Sequence, residues 1–457
     1  MSIFKAYDIR GKYPEDLNEE LAKNIGYDIA ENFNCKKILL CRDVRKGSNP
    51  IKDALVEGFK FFDKNIEVFD AGITTTPMFY YILQHNDFDF GIMITASHDP
   101  KNYCGMKLWK KDKDIHPVSY GYGEELIALM NQRNRIFVPD KGIVVTYNNY
   151  VKAYHDYLID LSRITEYLNF GTIKVVVDYS NGSACINSDF LKETAQIIEL
   201  NSEMNADFPG HQPNPLLEES QVQCREAILN NKADFGIVFD GDGDRIVFLN
   251  EKGERVQTEK IVAMDIAEML IENKEIKSVV ETLNMSEDLA KELARRNIRL
   301  FKTRIGYVFI REKAIVEDSA ITAEKSTHFS YRETGFTDSA ILTYLYILKK
   351  LINSRKEDVA IKFSELEKET HISREAVENV IKYDGDREEL LKKLYAYYKD
   401  KANKVDYVDE YTFHFDNYWF NVRRSNTMPE IKITIEAATL VEEKKVLKEI
   451  MSVLNLT

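Results

Sequence analysis

Asp234–Asp244 reads DFGIVFDGDGD, and the chain echoes it at Asp89–His98 with DFGIMITASH. Each is a short aliphatic, β-branched run that ends in a polar loop, the profile of a strand buried on both faces. Upstream of each lies another such run with an acid near its end: KKILLCRD (Lys36–Asp43) and IKVVVD (Ile173–Asp178). A third copy is visible in KSVVE (Lys277–Glu281) followed by SAITAEKSTH (Ser319–His328). Three units of strand, helical stretch, strand and polar loop predict a repeated α/β architecture.

The segments between the runs fit helices. Pro50–Phe62 places Ile51, Leu55, Phe59 and Phe62 at near-helical spacing. Ser220–Asn230 carries Val222, Ala227 and Ile228 after the turn-rich PGHQPNP, and Ile261–Asn273 is amphipathic. After Ser354 the charged stretch RKEDVAIKFSELEKE predicts a linker. Beyond it, VDYVDEYTFHF, YWFNVRRSN and EIKITIEAA read as strands and LVEEKKVLKEIMSVL as a helix. The expectation is three related α/β mixed-sheet domains at 1–145, 146–250 and 251–355, with a C-terminal α+β domain at 356–457.

Bulk properties narrow the function. With 457 residues the chain is too long for one core, and 44% hydrophobic residues are ample for packing several. A formal net charge of −13 disfavours a nucleic-acid partner and requires any anionic substrate to find a locally positive site. The five cysteines (35, 41, 104, 185 and 224) form no C-x-x-C pair, as expected of free thiols in a reducing compartment. The opening MSIFKAYDIRGKYPEDLN lacks an apolar signal-peptide core, and no apolar run is long enough to cross a bilayer. The expectation is a cytoplasmic protein with no membrane partner, and nothing in the sequence specifies an oligomer.

Four loops carry the chemistry. In DGDGDR, Asp240, Asp242 and Asp244 alternate with glycines directly after a strand, an oxygen-rich cradle suited to a divalent cation. A calcium EF-hand is the rival reading, and Glu251 even supplies its twelfth-position acid. It fails because Arg245 stands where the sharp turn needs glycine, and because the flanks FGIVF and RIVFL are strand-like. A solvated acidic turn is the bland alternative, but three carboxylates in five residues repel one another without a cation. In TASHDP, Ser97 lies where a strand gives way to a loop, either as an exposed nucleophile or as an ordinary helix N-cap. His98, Lys101 and Lys107 bring titratable or positive groups near it. In RRSNTMP, Arg423, Ser425, Asn426 and Thr427 offer a guanidinium fork and hydroxyls that match a phosphate, or else a polar hairpin turn. AEKSTH brings Glu324, Ser326 and His328 to the loop of the third unit, and KAYDIRGKYP places Arg10 in an early turn.

Read together, KAYDIRG, TASHDPKNYCGMK, FPGHQPNPL, DFGIVFDGDGDR, TRIGYVFI, AEKSTHF and WFNVRRSNTMP resemble, in order and over essentially the whole chain, the α-D-phosphohexomutase superfamily, in its phosphomannomutase/phosphoglucomutase branch. The resemblance implies four domains around a central cleft and a small-molecule sugar phosphate as substrate. It implies Ser97 as the phosphorylated serine and as a metal ligand through its phosphate. It implies Mg²⁺ on Asp240, Asp242 and Asp244, with a hexose 1,6-bisphosphate as activator. Arg10, Lys107 and His328 would stabilise charge and move protons, and Arg245 would support the metal and serine loops; His98, from its place beside Ser97, is a further catalytic candidate. Glu324 and Ser326 would read sugar hydroxyls, while Arg423, Ser425, Asn426 and Thr427 would hold the non-reacting phosphate. The implied reaction interconverts hexose 1- and 6-phosphates, mannose first and glucose second. Phosphoglucosamine mutase, a silent sugar-phosphate binder and a Mg²⁺-dependent phosphatase are the alternatives.

The chain departs from the family pattern at Asp99 and Cys104, where asparagine is usual, and at Ala323 and Thr327, which occupy glycine positions of the sugar loop. Met428 replaces a glutamate, and Lys432 stands near a common arginine. No primary chemical group is lost, so the expectation is retained phosphomutase chemistry with an altered sugar preference.

Overall fold

Every apolar run quoted above is a strand in the computed structural model, which describes residues 3–5, 8–118, 144–147, 149–166, 173–272, 274–355, 361–425 and 429–456. The first sheet contains β1 (Ile9–Lys12), β2 (Lys37–Arg42), β3 (Glu67–Ile73), β4 (Phe90–Ile94), β5 (Tyr103–Lys111), β6 (Ile115–Pro117) and β7 (Val144–Thr146). Its order is β1-β5-β4-β2-β3-β7, with β6 on β5. β2 runs parallel to β3 and β4, whereas β5 is antiparallel to both β4 and β1. Helices Glu19–Phe33, Ser48–Phe62 and Thr76–His85 connect these strands. The second of them starts two residues before the expected Pro50, which suits proline's place in a first turn, where no N–H is needed. Ile25, Ile29, Leu55 and Phe59 bury against Ile38, Leu40, Ile92 and Ile94 of the sheet, the apolar burial that holds such a layer together.

The second sheet repeats the plan. It has the order β11-β10-β8-β9, from β8 (Lys174–Asp178), β9 (Gln196–Leu200), β10 (Phe235–Phe239) and β11 (Ile246–Asn250). β8 is parallel to β9 and β10, and β11 turns back antiparallel on β10. The equivalence of the first two loops is therefore topological. TASHDP leaves parallel strand β4 and leads into antiparallel β5. DGDGDR leaves parallel strand β10 and leads into antiparallel β11. In the third repeat, β12 (Ser278–Thr282) is parallel to both β13 (Arg299–Thr303) and β14 (Ile321–Ala323). AEKSTH begins as β14 ends and leads to β15 (Phe329–Tyr331).

The C-terminal region is an antiparallel sheet of order β16-β20-β19-β18-β17, made of β16 (Val377–Lys382), β17 (Lys404–Asp406), β18 (Tyr411–His414), β19 (Tyr418–Arg424) and β20 (Glu430–Ala437). Helices Arg387–Tyr398 and Leu440–Leu454 supply Leu390, Leu394, Val446 and Ile450 to its core. This is the α+β arrangement expected.

Some local expectations need correction. Arg10 lies on a strand rather than in a turn, because β1 finds a partner in β5, with Arg10 opposite Gly105. The charged stretch after Ser354 is not linker throughout, since Phe363–Glu369 is helical and Phe363 packs on Phe235 and Phe248. β16 and helix Arg387–Tyr398 are additional to the elements the sequence patterns predict. That helix is rich in charge, but Asp386 caps it by accepting from the N–H groups of Glu388 and Glu389. The helix expected at Ile261–Asn273 spans Thr258–Ile271.

The chain condenses into two compact units, Met1–Val256 with Ser326–Glu365, and Gln257–Lys325 with Leu366–Thr457. In the first, helix Ala340–Arg355 lies beside helix Tyr150–Ser162, where buried Lys349 donates to Ser162 O at 2.6 Å. Tyr344 also shares a hydroxyl contact of 2.8 Å with Thr194.

Candidate active site

In the first unit the loops after β4 and β10 meet around Ser97. The serine is 2% exposed and is not a helix cap, because no helix follows it. Its φ of +47° is left-handed, a conformation a non-glycine residue keeps only when its surroundings enforce it. Its N–H donates to Thr95 Oγ1 at 2.8 Å. Its Oγ donates to Asp240 Oδ2 at 2.8 Å and lies 3.2 Å from His98 Nδ1. Gly241 makes this approach possible, since a Cβ there would come within 2.6 Å of Ser97 O.

Asp240, Asp242 and Asp244 are fully buried, and an oxygen from each lies within 4.8 Å of the others. The loop wraps on Asp240 Oδ1, which accepts the N–H groups of Asp244 and Arg245 at 3.1 and 3.2 Å. Thr76, in the first turn of its helix, donates to Asp242 Oδ2 at 2.6 Å. Lys107 from β5 reaches Asp242 at 3.2 Å and Asp244 at 2.5 Å. Burial, followed by repulsion from Asp244 and Asp242, drives the Asp240 carboxyl well above its usual range. Asp244 moves well below its own, because Lys107 and His328 outweigh its burial. Among the described residues, Asp242 Oδ1 is buried without a hydrogen-bond partner. An all-oxygen donor set, an orphaned carboxylate oxygen and three acids crowded into one buried loop together fit a hard divalent cation.

His328 approaches from the third loop. Its backbone pairs with Arg245, and Ile246 N donates to Thr327 O. Its Nδ1 lies 2.8 Å from Ser326 Oγ. Its Nε2 stands 3.3 Å from both Asp244 Oδ1 and Arg245 Nε. A neutral ring accepts from Arg245, whereas an imidazolium donates to Asp244. Burial works against the charged ring, but Asp244 and Asp338 raise its pKa. His98 goes the other way, well below the usual value, through burial and then through Arg245 and Arg10. The two histidines are thus biased apart, one toward acid and one toward base.

Arg10 reaches Asp8 at 2.6 Å and Asp99 at 3.2 Å. The acid at position 99, a departure from the family pattern, is therefore charge-paired. Thr327 has φ +67°, a conformation natural to glycine, and its buried Oγ1 has no hydrogen-bond partner among the described residues. Ala323, the other substituted glycine position, is ordinary strand backbone in β14. Thr327→Gly relieves about 1–3 kcal/mol of strain and loses about 0.4–1 kcal/mol through the looser unfolded chain. We expect a net gain of about 1 kcal/mol, read as a higher urea midpoint.

The second unit holds the remaining candidates. Glu324 is buried at the end of β14. Arg423, on β19, is buried and pairs with Glu378 at 2.7 Å, and Lys432 of β20 shares the same carboxylate at 3.1 Å. Ser425 is tied by its N–H to Glu430 O at 2.9 Å, and its carbonyl accepts from Arg387 at 3.3 Å. Asn426 and Thr427, with Met428, lie outside the described residues. The structure adds Thr76, Asp338, Glu378 and Arg387 to the residues singled out from sequence. None of them stands in a quoted motif.

Family models for the phosphoglucomutase/phosphomannomutase α/β/α domains I, II and III match residues 1–117, 148–253 and 258–368. A phosphomannomutase of Methanocaldococcus jannaschii is 29% identical over 98% of this chain and 96% of its own length. A phosphomannomutase of Escherichia coli is 29% identical over 96% of this chain and 95% of its own. The crystal structure of a phosphoglucomutase/phosphomannomutase family protein from Burkholderia thailandensis superposes with a TM-score of 0.82 at 21% identity, covering 99% and 97% of the two chains. No helix among the described residues is long and apolar enough to cross a membrane.

Proposed function

The chain belongs to the phosphoglucomutase/phosphomannomutase family and is an enzyme, an intramolecular phosphotransferase, and from that premise we propose that it interconverts hexose 1-phosphate and hexose 6-phosphate through a phosphoserine at Ser97, with mannose as the preferred sugar. The observation that carries this reading is a single buried serine held 2.8 Å from Asp240, among three carboxylates answered by Lys107. A protein that only bound sugar phosphates would need no hydroxyl at that position.

Asp240, Asp242 and Asp244 would hold Mg²⁺, which when bound supplies positive charge to the phosphoryl oxygens. In the forward step the bond between phosphorus and Ser97 Oγ breaks, and a new bond forms to a sugar hydroxyl, giving a bisphosphate. The hydroxyl proton passes to the His328 ring in its neutral form, whose Nδ1 is steadied by Ser326, and the departing Ser97 Oγ takes up a proton from the Lys107 ammonium. Lys107 and Arg10 offset the charge on the moving phosphoryl group, and Arg245 keeps the metal loop against His328. After the bisphosphate turns over, the other phosphate returns to Ser97 and the same groups act in reverse. A hexose 1,6-bisphosphate would keep Ser97 phosphorylated between cycles. Glu324 and Ser326 would read the sugar hydroxyls. Arg423, Ser425, Asn426 and Thr427 would grip the phosphate that is not reacting, with Glu378 fixing the Arg423 fork.

The test is direct. Purified protein is incubated with Mg²⁺, a trace of hexose 1,6-bisphosphate and the 1-phosphate of mannose, glucose or glucosamine, and 6-phosphate is measured. Formation from mannose 1-phosphate at the highest kcat/KM is expected. Preference for glucosamine would correct the sugar, release of free phosphate would favour a phosphatase, and no conversion at all would sink the mutase reading.

A further inference from the structure

Arg45 lies just after β2, outside every motif discussed so far, and has the most densely bonded guanidinium near the nucleophile. Its Nη2 donates to Ser97 O at 2.7 Å and Asp99 O at 2.6 Å. Its Nη1 donates to Pro100 O at 2.7 Å and Tyr103 O at 3.1 Å. One fork thus gathers four carbonyls from the seven-residue segment that contains the nucleophile. The side chain has no solvent exposure, and its Nε pairs with the equally buried Asp43 at 3.0 Å. Asp43 is in turn fixed by Ser48 Oγ. The Phe208 ring covers the guanidinium, 5.2 Å from centroid to Cζ. The loop bearing Phe208 is held to the serine loop by Asp207, which pairs with Lys46 at 2.7 Å and Lys101 at 3.2 Å. Gly241 of the aspartate loop comes close as well, since a Cβ there would be 3.6 Å from Nη2.

We propose that Arg45 is the positioning residue for phosphoryl transfer, holding the Ser97 loop in its left-handed conformation from the side opposite the chemistry. This rests on the phosphoserine reading above. Three features make the role one of geometry rather than bulk stability. The ligands are main-chain carbonyls, so the bonds fix backbone direction and not side-chain packing. In a planar trans peptide each N–H points opposite its carbonyl. Drawing the carbonyls of Ser97 and Pro100 toward Arg45 therefore turns the N–H groups of His98 and Lys101 away from it, free to serve a phosphoryl oxygen. Finally, the fork matters as well as the charge. A lysine ammonium has three donors and no plane, so it cannot satisfy four carbonyls from two sides.

The experiment compares wild type, Arg45→Lys and Phe208→Leu. Each protein is phosphorylated with hexose 1,6-bisphosphate, its phosphoserine content is measured, and single-turnover transfer to hexose phosphate is followed. Rates are normalised to phosphoserine, so a smaller folded fraction does not count as a loss. Arg45→Lys is expected to slow transfer about 30- to 300-fold with KM within threefold of wild type. Phe208→Leu, which leaves the fork intact but uncovers it, is expected to slow transfer about 3- to 10-fold, and it carries the test if Arg45→Lys does not fold. Normalised rates within twofold of wild type, or a loss confined to KM, would overturn the proposal. Wild-type protein that transfers to no hexose phosphate would overturn the reading beneath it, an outcome distinct from active wild type with unaffected variants.

Discussion

Ser97→Ala is expected to cut hexose-phosphate turnover by at least about 10³-fold while the protein still folds. The large factor follows from losing the covalent acceptor itself, since no second hydroxyl in the TASHDP loop can replace it. Thr95 is the obvious substitute, but its Oγ1 accepts from the Ser97 N–H and is buried. Removal of a nucleophile typically costs orders of magnitude in kcat, and the effects of groups acting as a unit do not add. Stability should fall by no more than about 1–3 kcal/mol, the cost of leaving Asp240 Oδ2 without the serine's hydrogen bond. The check pairs a coupled assay with a thermal melt and with loss of radiolabel incorporation from bisphosphate. Turnover near wild type in a protein that no longer takes label would remove Ser97 from the mechanism.

Removing the divalent cation is expected to abolish turnover, and Asp242→Asn should do the same irreversibly. EDTA treatment should reduce the rate by at least about 10³-fold, and added Mg²⁺ should restore wild type but not the variant. A cation bound only by the folded state also raises its stability, by about 2.7 kcal/mol at one hundred times Kd. Wild type should therefore melt higher with Mg²⁺, and Asp242→Asn should show little rise. The pH dependence of the metal-free protein carries its own sign. Asp240 is raised above its unfolded value, so the folded state is favoured most below the ordinary carboxylate pKa. That advantage is lost as pH climbs toward the folded pKa. Asp244 is depressed, so its contribution is present above the ordinary value and is lost only in stronger acid. Relative to Asp240→Asn, metal-free wild type should lose stability as pH rises above the ordinary carboxylate range, and Mg²⁺ should shrink that difference. A metal-free difference between the two proteins that does not change with pH would contradict the buried-repulsion account.

The parts of this molecule legible in its sequence were those where one chemical demand dominates. Parallel strands buried on both faces need unbroken aliphatic runs, so β2, β4, β8 and β10 stood out without neighbours to help. The DGDGDR loop stood out because three acids and two glycines in so short a span satisfy little besides a cation. Helix Arg387–Tyr398 stayed hidden because its charged surface masks the few leucines that reach the core, and its cap, Asp386, lies in a run already crowded with acids. β1 stayed hidden because an edge strand has one partner and little apolar character. Arg45 shows a different limit. Its targets are carbonyl oxygens, which every residue carries, so no pattern of side chains announces it.

The division of the chain into two units also has a consequence for synthesis. Neither unit is continuous. The first takes Met1–Val256 and then waits for Ser326–Glu365, after the intervening residues have gone to the second. Arg245 and His328, which touch in the finished site, are 83 residues apart. At about 5–20 residues per second, the three buried aspartates are made several seconds before the histidine that helps neutralise them. Lys107 is already present by then, and it bridges two of the acids. A nascent chain stopped at the end of the second repeat would lack helix Ala340–Arg355, leaving helix Tyr150–Ser162 without the partner that covers it. Cutting the gene between repeats would therefore not yield a smaller working version. The repeats record how the fold is patterned, whereas the ribosome must deliver residues as far as Glu365 before the first unit can close.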